Sequence, residues 1–402
     1  MLKGKNILLG ITGGIAAYKM ANTASLLVKQ GADVHVIMTR NATKFITAET
    51  LEILTKNKVF VDVFDEYEDK TIVPHIELGT SADCILIAPC SADVVGKIAN
   101  GIADDMLTTA VLPARCPVLI CPSMNVYMLE NKIVQDNINK LKKFGYTIIE
   151  PAEGHLACGY DGKGKLPKEE YLVEQVLDAV AYEKTLKGKK VVVSAGPTGE
   201  AFDPVRFITN HSSGKMGYSL ARVARMKGAQ VTLVSGPVSI PMVDGVKGVM
   251  VKSAEDMFNA VSKESEDADI VIMAAAVADY TPAVVADNKI KKQDGDSSLQ
   301  LKRTKDILKY LGEHKKPGQF ICGFSMETKD LIENSSKKLE KKNCDMICAN
   351  LLTEPGAGYK VDTNVITVIT HDGLEKLPMM SKMDCSAAIL DRIEKLMDET
   401  RI

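Results

Sequence analysis

Lys189 to Gly217 reads KKVVVSAGPTGEAFDPVRFITNHSSGKMG. Val191, Val192, Val193 and Ser194 form a short run that enters Ala195-Gly196-Pro197-Thr198, a turn that hands a buried strand to a polar loop. Ser212-Ser213-Gly214 then precedes good helix formers from Lys215 to Lys227, and Gly228-Ala229-Gln230 leads into a second apolar strand, Val231 to Val234. The N-terminus carries the same pattern. Asn6-Ile7-Leu8-Leu9-Gly10 runs into Thr12-Gly13-Gly14, helix formers continue to Gln30, and Gly31-Ala32-Asp33 leads into Val34 to Met38. Two such strand, glycine-rich turn, helix, strand units predict two separate α/β domains, each with a phosphate-binding turn near its first helix.

A chain of 402 residues has material for two cores, and 46% apolar with 25% charged residues is an ordinary globular composition. A net charge of −2 argues against a nucleic-acid partner held through phosphate-backbone electrostatics. The nine cysteines are odd in number and scattered, without a CxxC pair, which points to a reducing, cytoplasmic setting and no disulfide framework. Cys344 and Cys348 lie on or beside an apolar run and read as core. The opening MLKGKNILLGITGGIAA has the look of a signal peptide, but cleavage there would remove the first strand and turn, so it reads as structure. No apolar run approaches membrane-spanning length, and no membrane partner is expected.

In the first half, Thr39-Arg40-Asn41 stands where a nicotinamide-binding unit places an acidic residue for the ribose, and Gly10, Gly13 and Gly14 do not match GxGxxG. A dinucleotide dehydrogenase is excluded, whereas a mononucleotide with its phosphate on the turn is not. Asp83 to Pro89 predicts a strand buried on both faces, with Cys90-Ser91-Ala92-Asp93 capping the helix after it. Pro117 to Cys121 predicts another, ending in Pro122-Ser123-Met124-Asn125 before a helix over Tyr127 to Phe144. By residue type alone Asn125 fits an N-cap as well as a catalytic amide, and His75 a partly buried structural histidine as well as a base. Pro151 to Pro167 is glycine-rich and reads as a lid or a disordered segment, with Cys158 in it either a reactive thiol or chance.

A helix from Glu169 to Glu183 and the polar run Lys184 to Lys190 join the halves. Ala268 to Ala276 predicts the most hydrophobic strand, ending at Val277-Ala278-Asp279-Tyr280, where Asp279 suits either recognition of a base or ribose or a solvated turn. Lys289, Lys291 and Lys292 crowd one loop, a solvated face unless the ligand is a nucleoside triphosphate. Ser213-Gly214-Lys215 is not the end of a P-loop, because the preceding glycine is missing and Met216 replaces the magnesium-binding hydroxyl. Val365 to Ile369, turning at His371-Asp372-Gly373, predicts a hairpin, and Lys382 to Asp398 a closing helix.

Gly13-Gly14-Ile15-Ala16-Ala17-Tyr18-Lys19, His75 in HIELG, Ala88-Pro89 with Ser91-Ala92-Asp93, Pro122-Ser123-Met124-Asn125 and Ala157-Cys158-Gly159 resemble, in order, the motifs of flavin-dependent cysteine decarboxylases. Ala195 to Thr198, Asp203 to Arg206, Asn210 to Gly217, Ala274 to Tyr280 and Lys289 to Lys292 resemble phosphopantothenate-cysteine ligases. The two in this order resemble the bacterial bifunctional enzymes of coenzyme A biosynthesis, over essentially the whole chain. The resemblance implies two Rossmann-like three-layer α/β domains: a flavodoxin-like flavoprotein decarboxylase over 1–186 and a nucleotide-binding ligase over 187–402.

For the first domain it implies FMN bound by Gly13, Gly14, Ile15, Thr39, Ser91, Ala92, Asp93 and Ser123. The substrate's cysteine thiol would be oxidised to a thioaldehyde, making the adjacent carboxylate a leaving group as CO2, and the remaining enethiolate would then be reduced. Asn125 would bind the departing carboxylate, His75 would act as base or orienting group, and Cys158 would return the proton. For the second domain the resemblance implies attack of 4'-phosphopantothenate on the α-phosphate of CTP, then displacement of CMP by the cysteine amine. Asn210 would hold the acyl-nucleotide and Lys289 the developing charge. Ala275, Asp279, Lys289, Thr304, Lys305, Asp306, Ile307, Phe324, Lys338 and Lys342 would bind CTP. Mg2+ is expected with the triphosphate, with no protein ligand assigned, and the implied assembly is a homo-oligomer, a dodecamer of ligase dimers and decarboxylase trimers. Asp93, Gly199 and Thr304-Lys305-Asp306 depart from the usual pattern, the last replacing Asn-Pro-Asp and losing a fixed φ. Two other readings remain: a redox flavoprotein whose second domain only binds nucleotide, and a non-catalytic regulator built on the decarboxylase fold.

Overall fold

The computed structural model describes residues 1–64, 73–155, 159, 161–291, 298–354, 356, 358 and 361–399. The chain forms two compact units, Met1–Tyr182 and Glu183–Ile402. Among the described residues no helix is long and apolar enough to cross a membrane.

In the first unit, β1 (Asn6–Ile11), β2 (Asp33–Met38), β3 (Val59–Phe60), β4 (Cys84–Cys90), β5 (Val118–Pro122) and β6 (Thr147–Ile148) form a parallel sheet in the order β3-β2-β1-β4-β5-β6. All seven residues of β4 are buried, which is why this strand reads as a continuous apolar run and not as an alternation. The helices Met20–Lys29, Ala48–Thr55 and Glu169–Val180 pack together as one layer. Pro74–Ser81, Ala92–Ala99, Met106–Val111 and Lys132–Lys143 form the other, and Leu78, Val94, Val95, Leu107, Ile138 and Leu141 meet Ile85, Ile87 and Ile120 in the core between them and the sheet. The chain order reverses between β1 and β4, the position at which open parallel sheets of this kind bind ligands.

Two expectations change here. The helix expected over Tyr127 to Phe144 is two helices, Val126–Glu130 and Lys132–Lys143, because Asn131 caps the second by accepting the Ile133 N–H at 2.9 Å. Of the two alternatives for the glycine-rich stretch, a lid or a disordered segment, the second is overturned for its described residues, which form an antiparallel pair, β7 (Ala152–His155) with β8 (Asp161–Lys165). Its Gly154, Gly162 and Gly164 have φ of +148°, +159° and +145°, extended conformations that strand propensities do not anticipate.

Gly13 is a residue that a side chain cannot replace. A Cβ there would lie 2.4 Å from the Asn41 Cβ in the loop after β2. Gly13→Ala is expected to cost roughly 1–3 kcal/mol, seen as about 2–4 °C of melting temperature per kcal/mol. A melting temperature equal to wild type would show that the two loops separate freely.

The second unit repeats the plan. Its strands are β9 (Lys190–Ala195), β10 (Gly199–Ala201), β11 (Phe207–Thr209), β12 (Gln230–Ser235), β13 (Lys247–Met250), β14 (Ile270–Met273), β15 (Tyr280–Pro282), β16 (Leu301–Arg303), β17 (Phe320–Glu327), β18 (Met346–Leu351), β19 (Thr363–Asn364), β20 (Thr367–Thr370), β21 (Gly373–Lys376) and β22 (Met380–Ser381). The main sheet runs β13-β12-β9-β14-β17-β18-β20-β21, parallel as far as β18 and antiparallel beyond it. β20 and β21 form the expected hairpin. Helix Lys215–Met226 packs on β9 and β12 and Lys382–Glu399 packs against that helix, while Met257, Val261, Leu308, Leu311 and Leu339 from the helices Ala254–Ser265, Ile307–Glu313 and Leu331–Lys341 share a core with Val192, Val271 and Ile347. Cys344 and Cys348 are buried. Gly217 brings its helix onto the sheet, since a Cβ there would meet the Ala195 Cβ at 2.6 Å. The order reverses between β9 and β14, the counterpart of the β1 and β4 boundary.

Candidate functional site

In the first unit the carboxyl ends of β1, β2, β4 and β5 bring together Gly13 and Gly14, Thr39, Ser91 to Asp93, and Ser123 to Asn125. Thr12 fastens two of these ends. Its buried Oγ1 donates to the Pro89 carbonyl at 2.8 Å and accepts the Ser91 N–H at 2.9 Å. Ser91 Oγ in turn caps the helix Ala92–Ala99 by accepting from the Val94 N–H, and the Ser123 N–H donates to the Cys90 carbonyl at 2.9 Å. Gly14 opens a short 3-10 turn, Ile15–Lys19, that has no side-chain cap, and Ile15 is exposed. Thr39 Oγ1 accepts the Ala42 N–H, while Asp93 extends into solvent beside Lys97 at 3.5 Å. Thr12 was open to discovery as a hydroxyl at the end of a buried strand, but its two bonds are tertiary and no local signal announces them.

His75 sits in the first turn of Pro74–Ser81, and its Nδ1 is buried without a hydrogen-bond partner among the described residues. A purely structural histidine in that position would be expected to have one. Asn125 caps Val126–Glu130, its Oδ1 accepting the Tyr127 N–H at 2.9 Å. The base of the β7/β8 pair rests on this same loop: Ser123 Oγ and the Met124 N–H both donate to the Gly164 carbonyl, at 3.3 and 3.2 Å. Cys158 lies outside the described residues.

The second unit holds two cavities that share Ala275, Val277, Asp279, Phe324 and Lys338. The larger, about 430 Å³, is lined by Thr304, Lys305, Asp306 and Ile307 on one side and by Lys337, Lys338, Lys341 and Lys342 on the other. It therefore gathers every residue expected to bind the nucleotide except Lys289. Lys338 and Lys342, four apart on one helix, both reach it. Burial lowers the pKa of Lys338, and repulsion by Lys342 adds to the effect; its Nζ donates to the Phe324 carbonyl at 3.0 Å. Burial acts to raise the Asp306 carboxyl, but its ion pair with Lys342 and the N–H of Lys309 prevail and hold it low. The turn without proline is fixed by hydrogen bonds instead: Thr304 Oγ1 donates to the Ala278 carbonyl at 2.7 Å and the Thr304 N–H to the Asp279 carbonyl at 3.0 Å. Lys305 turns outward to Glu255 at 2.7 Å.

Asn210 and Lys289 stand apart from these walls. Asn210 is exposed and donates from Nδ2 to the Ala276 carbonyl at 2.9 Å, at the rim of the smaller cavity. Lys289 is exposed and lines neither cavity. Its neighbour Ile290 is tied by its N–H to buried Asp203 at 3.2 Å and by its carbonyl to Arg206 at 2.8 Å, so the loop is anchored beside the Asp203–Arg206 turn. Among the described residues no group of three or more His, Cys, Asp or Glu could hold a metal ion.

Residues 1–181 match the family described as flavoprotein, and residues 186–397 match the DNA/pantothenate metabolism flavoprotein C-terminal domain. The chain is 49% identical over 404 residues to the coenzyme A biosynthesis bifunctional protein CoaBC of Bacillus subtilis (strain 168), covering 100% of this chain and 99% of that protein. It is 45% identical over 354 residues to a cysteine/cysteine sulfinic acid decarboxylase of an unknown prokaryotic organism, covering 87% of this chain and 98% of that protein. A solved structure of the C-terminal domain of a CoaBC protein is 42% identical and aligns with 54% of this chain and 100% of its own, with a TM-score of 0.47.

Proposed function

The chain belongs to the family of coenzyme A biosynthesis bifunctional proteins CoaBC, and from that premise we propose that its two units perform consecutive steps of one synthesis. The second unit condenses 4'-phosphopantothenate with cysteine, and the first decarboxylates the resulting 4'-phosphopantothenoylcysteine to 4'-phosphopantetheine. The observation that carries this reading is the end-to-end match, with both family domains present in order. We assign the decarboxylation to residues 1–186 and the condensation to residues 187–402. Eight unpaired cysteines among the described residues support a reducing cytoplasm. The resemblance supports a homo-oligomeric, dodecameric assembly, which light scattering would size.

The crevice of the first unit fits FMN: the uncapped turn at Gly14 suits its phosphate, Gly13 leaves no room for a side chain in the cradle, and His75 Nδ1 is a buried polar atom without a protein partner. When bound, FMN supplies two-electron redox chemistry at the substrate's thiol-bearing carbon. The chain's own residues then divide the remaining work. Asn125, at the start of Val126–Glu130, would bind the carboxylate that leaves as CO2. His75 would orient the reacting end of the substrate, and Cys158 would deliver a proton to it.

In the second unit the base and ribose of CTP would lie among Ala275, Asp279, Thr304 to Ile307 and Phe324, with Lys338 and Lys342 directed at its phosphates. Asn210, at the cavity rim, would hold the acyl-nucleotide, and Lys289 would approach from the anchored loop to balance charge during transfer. Mg2+ would enter with the triphosphate.

The direct test is product mass. Full-length protein given 4'-phosphopantothenate, cysteine, magnesium and CTP should yield 4'-phosphopantetheine and CMP, and ATP in place of CTP should not. Accumulated 4'-phosphopantothenoylcysteine would remove the decarboxylase assignment, absence of condensation would remove the ligase assignment, and release of CO2 from free cysteine would favour the chemistry named for the 45% identical relative.

Nucleotide affinity should also depend on pH in a way that identifies Lys338. Because burial sets its folded pKa below the ordinary lysine value, the cost of burying the charge is fully present below the folded pKa and fades as pH rises through it, while the cation that attracts phosphate is lost over the same interval. CTP binding should thus weaken on the alkaline side before exposed lysines titrate. Lys338→Arg, which does not titrate there, should flatten the profile; an unchanged profile would exclude Lys338 as its source.

A further inference from the structure

Asp203 is 1% exposed and lines neither cavity of the second unit, yet its carboxylate is crowded with donors. Oδ1 accepts the N–H groups of Val205 and Arg206, both at 2.8 Å, which closes the turn Asp203-Pro204-Val205-Arg206 on itself. Oδ2 accepts Nε and Nη2 of Arg206, at 2.9 and 2.6 Å, and the Ile290 N–H from 87 residues away, at 3.2 Å. The pairing with Arg206 outweighs the opposing effect of burial and holds this carboxyl far below the usual carboxylate range, so it stays ionised down to strongly acidic pH.

The turn alone needs only Oδ1; the other oxygen is committed to a distant segment. Arg206 adds a second tie, donating from Nη2 to the Ile290 carbonyl at 2.8 Å, so both backbone groups of Ile290 are held by one ion pair. Earlier in the same loop the Ala286 N–H donates to the Phe202 carbonyl at 3.0 Å. Lys289 stands between these two anchors, with its side chain exposed. Its backbone is thus fixed next to a residue bonded to a buried charge, while the ammonium is left to reach outward. A buried ion pair is a poor source of net stability, because desolvation offsets much of the attraction, and its better-attested use is to specify an arrangement. What this pair specifies is the place of one lysine. The sequence displays Asp203 and Arg206 in one motif, but nothing in it marks Ile290 as their partner.

We propose that Asp203 is a positioning residue of the ligase half, which through Arg206 and Ile290 holds the backbone of Lys289 where its side chain can meet the reacting phosphates. The inference rests on the reading of Lys289 as the group that balances charge during condensation. Asp203 itself touches no substrate. A lysine on a loop that has lost its anchor is misplaced for the transition state, and a misplacement of about 1 Å costs on the order of 100-fold in rate. The loss belongs in turnover and not in nucleotide affinity, which the walls of the larger cavity supply.

Full-length Asp203→Asn, Lys289→Gln and the double variant test it. Asparagine keeps an acceptor for the turn but sets an amide donor against the donors of Arg206 and Ile290. In Asp203→Asn, condensation should slow by roughly 10- to 100-fold with the KM for CTP within about twofold of wild type. Decarboxylation of supplied 4'-phosphopantothenoylcysteine should be unchanged. The double variant should be no slower than Lys289→Gln alone, because a group already absent cannot be misplaced. Losses that multiply in the double variant would show Asp203 acting independently of Lys289 and overturn the proposal. Amide hydrogen exchange over residues 286–291 should quicken in Asp203→Asn, and exchange equal to wild type overturns it as well. Should Asp203→Asn not fold, Arg206→Lys enters the same cycle with the same expectations, since a lysine cannot hold Asp203 and the Ile290 carbonyl with one fork. Wild-type condensation in Lys289→Gln removes the Lys289 assignment and the proposal together. Wild-type protein that does not condense at all removes the ligase reading on which both stand.

Discussion

Lys338→Met should lower the rate of condensation by about 100-fold, the usual scale for removing one well-placed group that stabilises transition-state charge, while decarboxylation of supplied 4'-phosphopantothenoylcysteine continues at the wild-type rate. Lys338 lines both cavities, is half-buried, and makes no ion pair among the described residues, so no described carboxylate is left unpaired when its charge is removed. Removing a partly desolvated, unpaired cation is not expected to destabilise the fold, because the cost of burying it disappears with it. The affinity for CTP should fall in parallel. Measured separately, the two half-reactions give the decisive comparison: a condensation rate within twofold of wild type would remove Lys338 from the nucleotide site, and an equal loss in both reactions would indicate general damage to the protein.

His75→Leu should have a comparable effect on the other half-reaction, a loss of about 10²- to 10⁴-fold if the imidazole moves or holds a proton in the reaction. Leucine fills similar space, and Nδ1 makes no hydrogen bond among the described residues that would be missed. The variant should therefore keep its melting temperature and its flavin, counted from the visible absorbance of the purified protein. If turnover and flavin content fell together, His75 would be a residue for binding the cofactor; if turnover held, the buried nitrogen would have no part in the chemistry. Condensation should proceed unaltered in either case.

Much of this was legible before folding, and the reasons are local. Val191 to Val193 and Ile85 to Ile87 are buried on both faces, so apolar character is continuous and the strands announce themselves. Gly13, in the turn after β1, and Gly217, in the helix Lys215–Met226, mark where the backbone must pass close to another segment. Other features depend on contacts between residues distant in sequence. The β7/β8 pair escapes a propensity reading because its glycines use backbone angles that carry no strand signal. Asn131 interrupts a run of helix formers by capping, a role that a periodic reading passes over. Lys289 shows the converse. Its basic loop is conspicuous in the sequence, yet its side chain lies outside both cavities, whereas Lys382, inconspicuous in the sequence, is inside one.

The five residues common to the two cavities also bear on inhibition. A compound spanning the wall of Ala275, Val277, Asp279, Phe324 and Lys338 would join a flat, base-like portion to a compact acidic one in a single molecule. The two cavities meet at that wall, so potency would come from linking two weak fragments over a short distance.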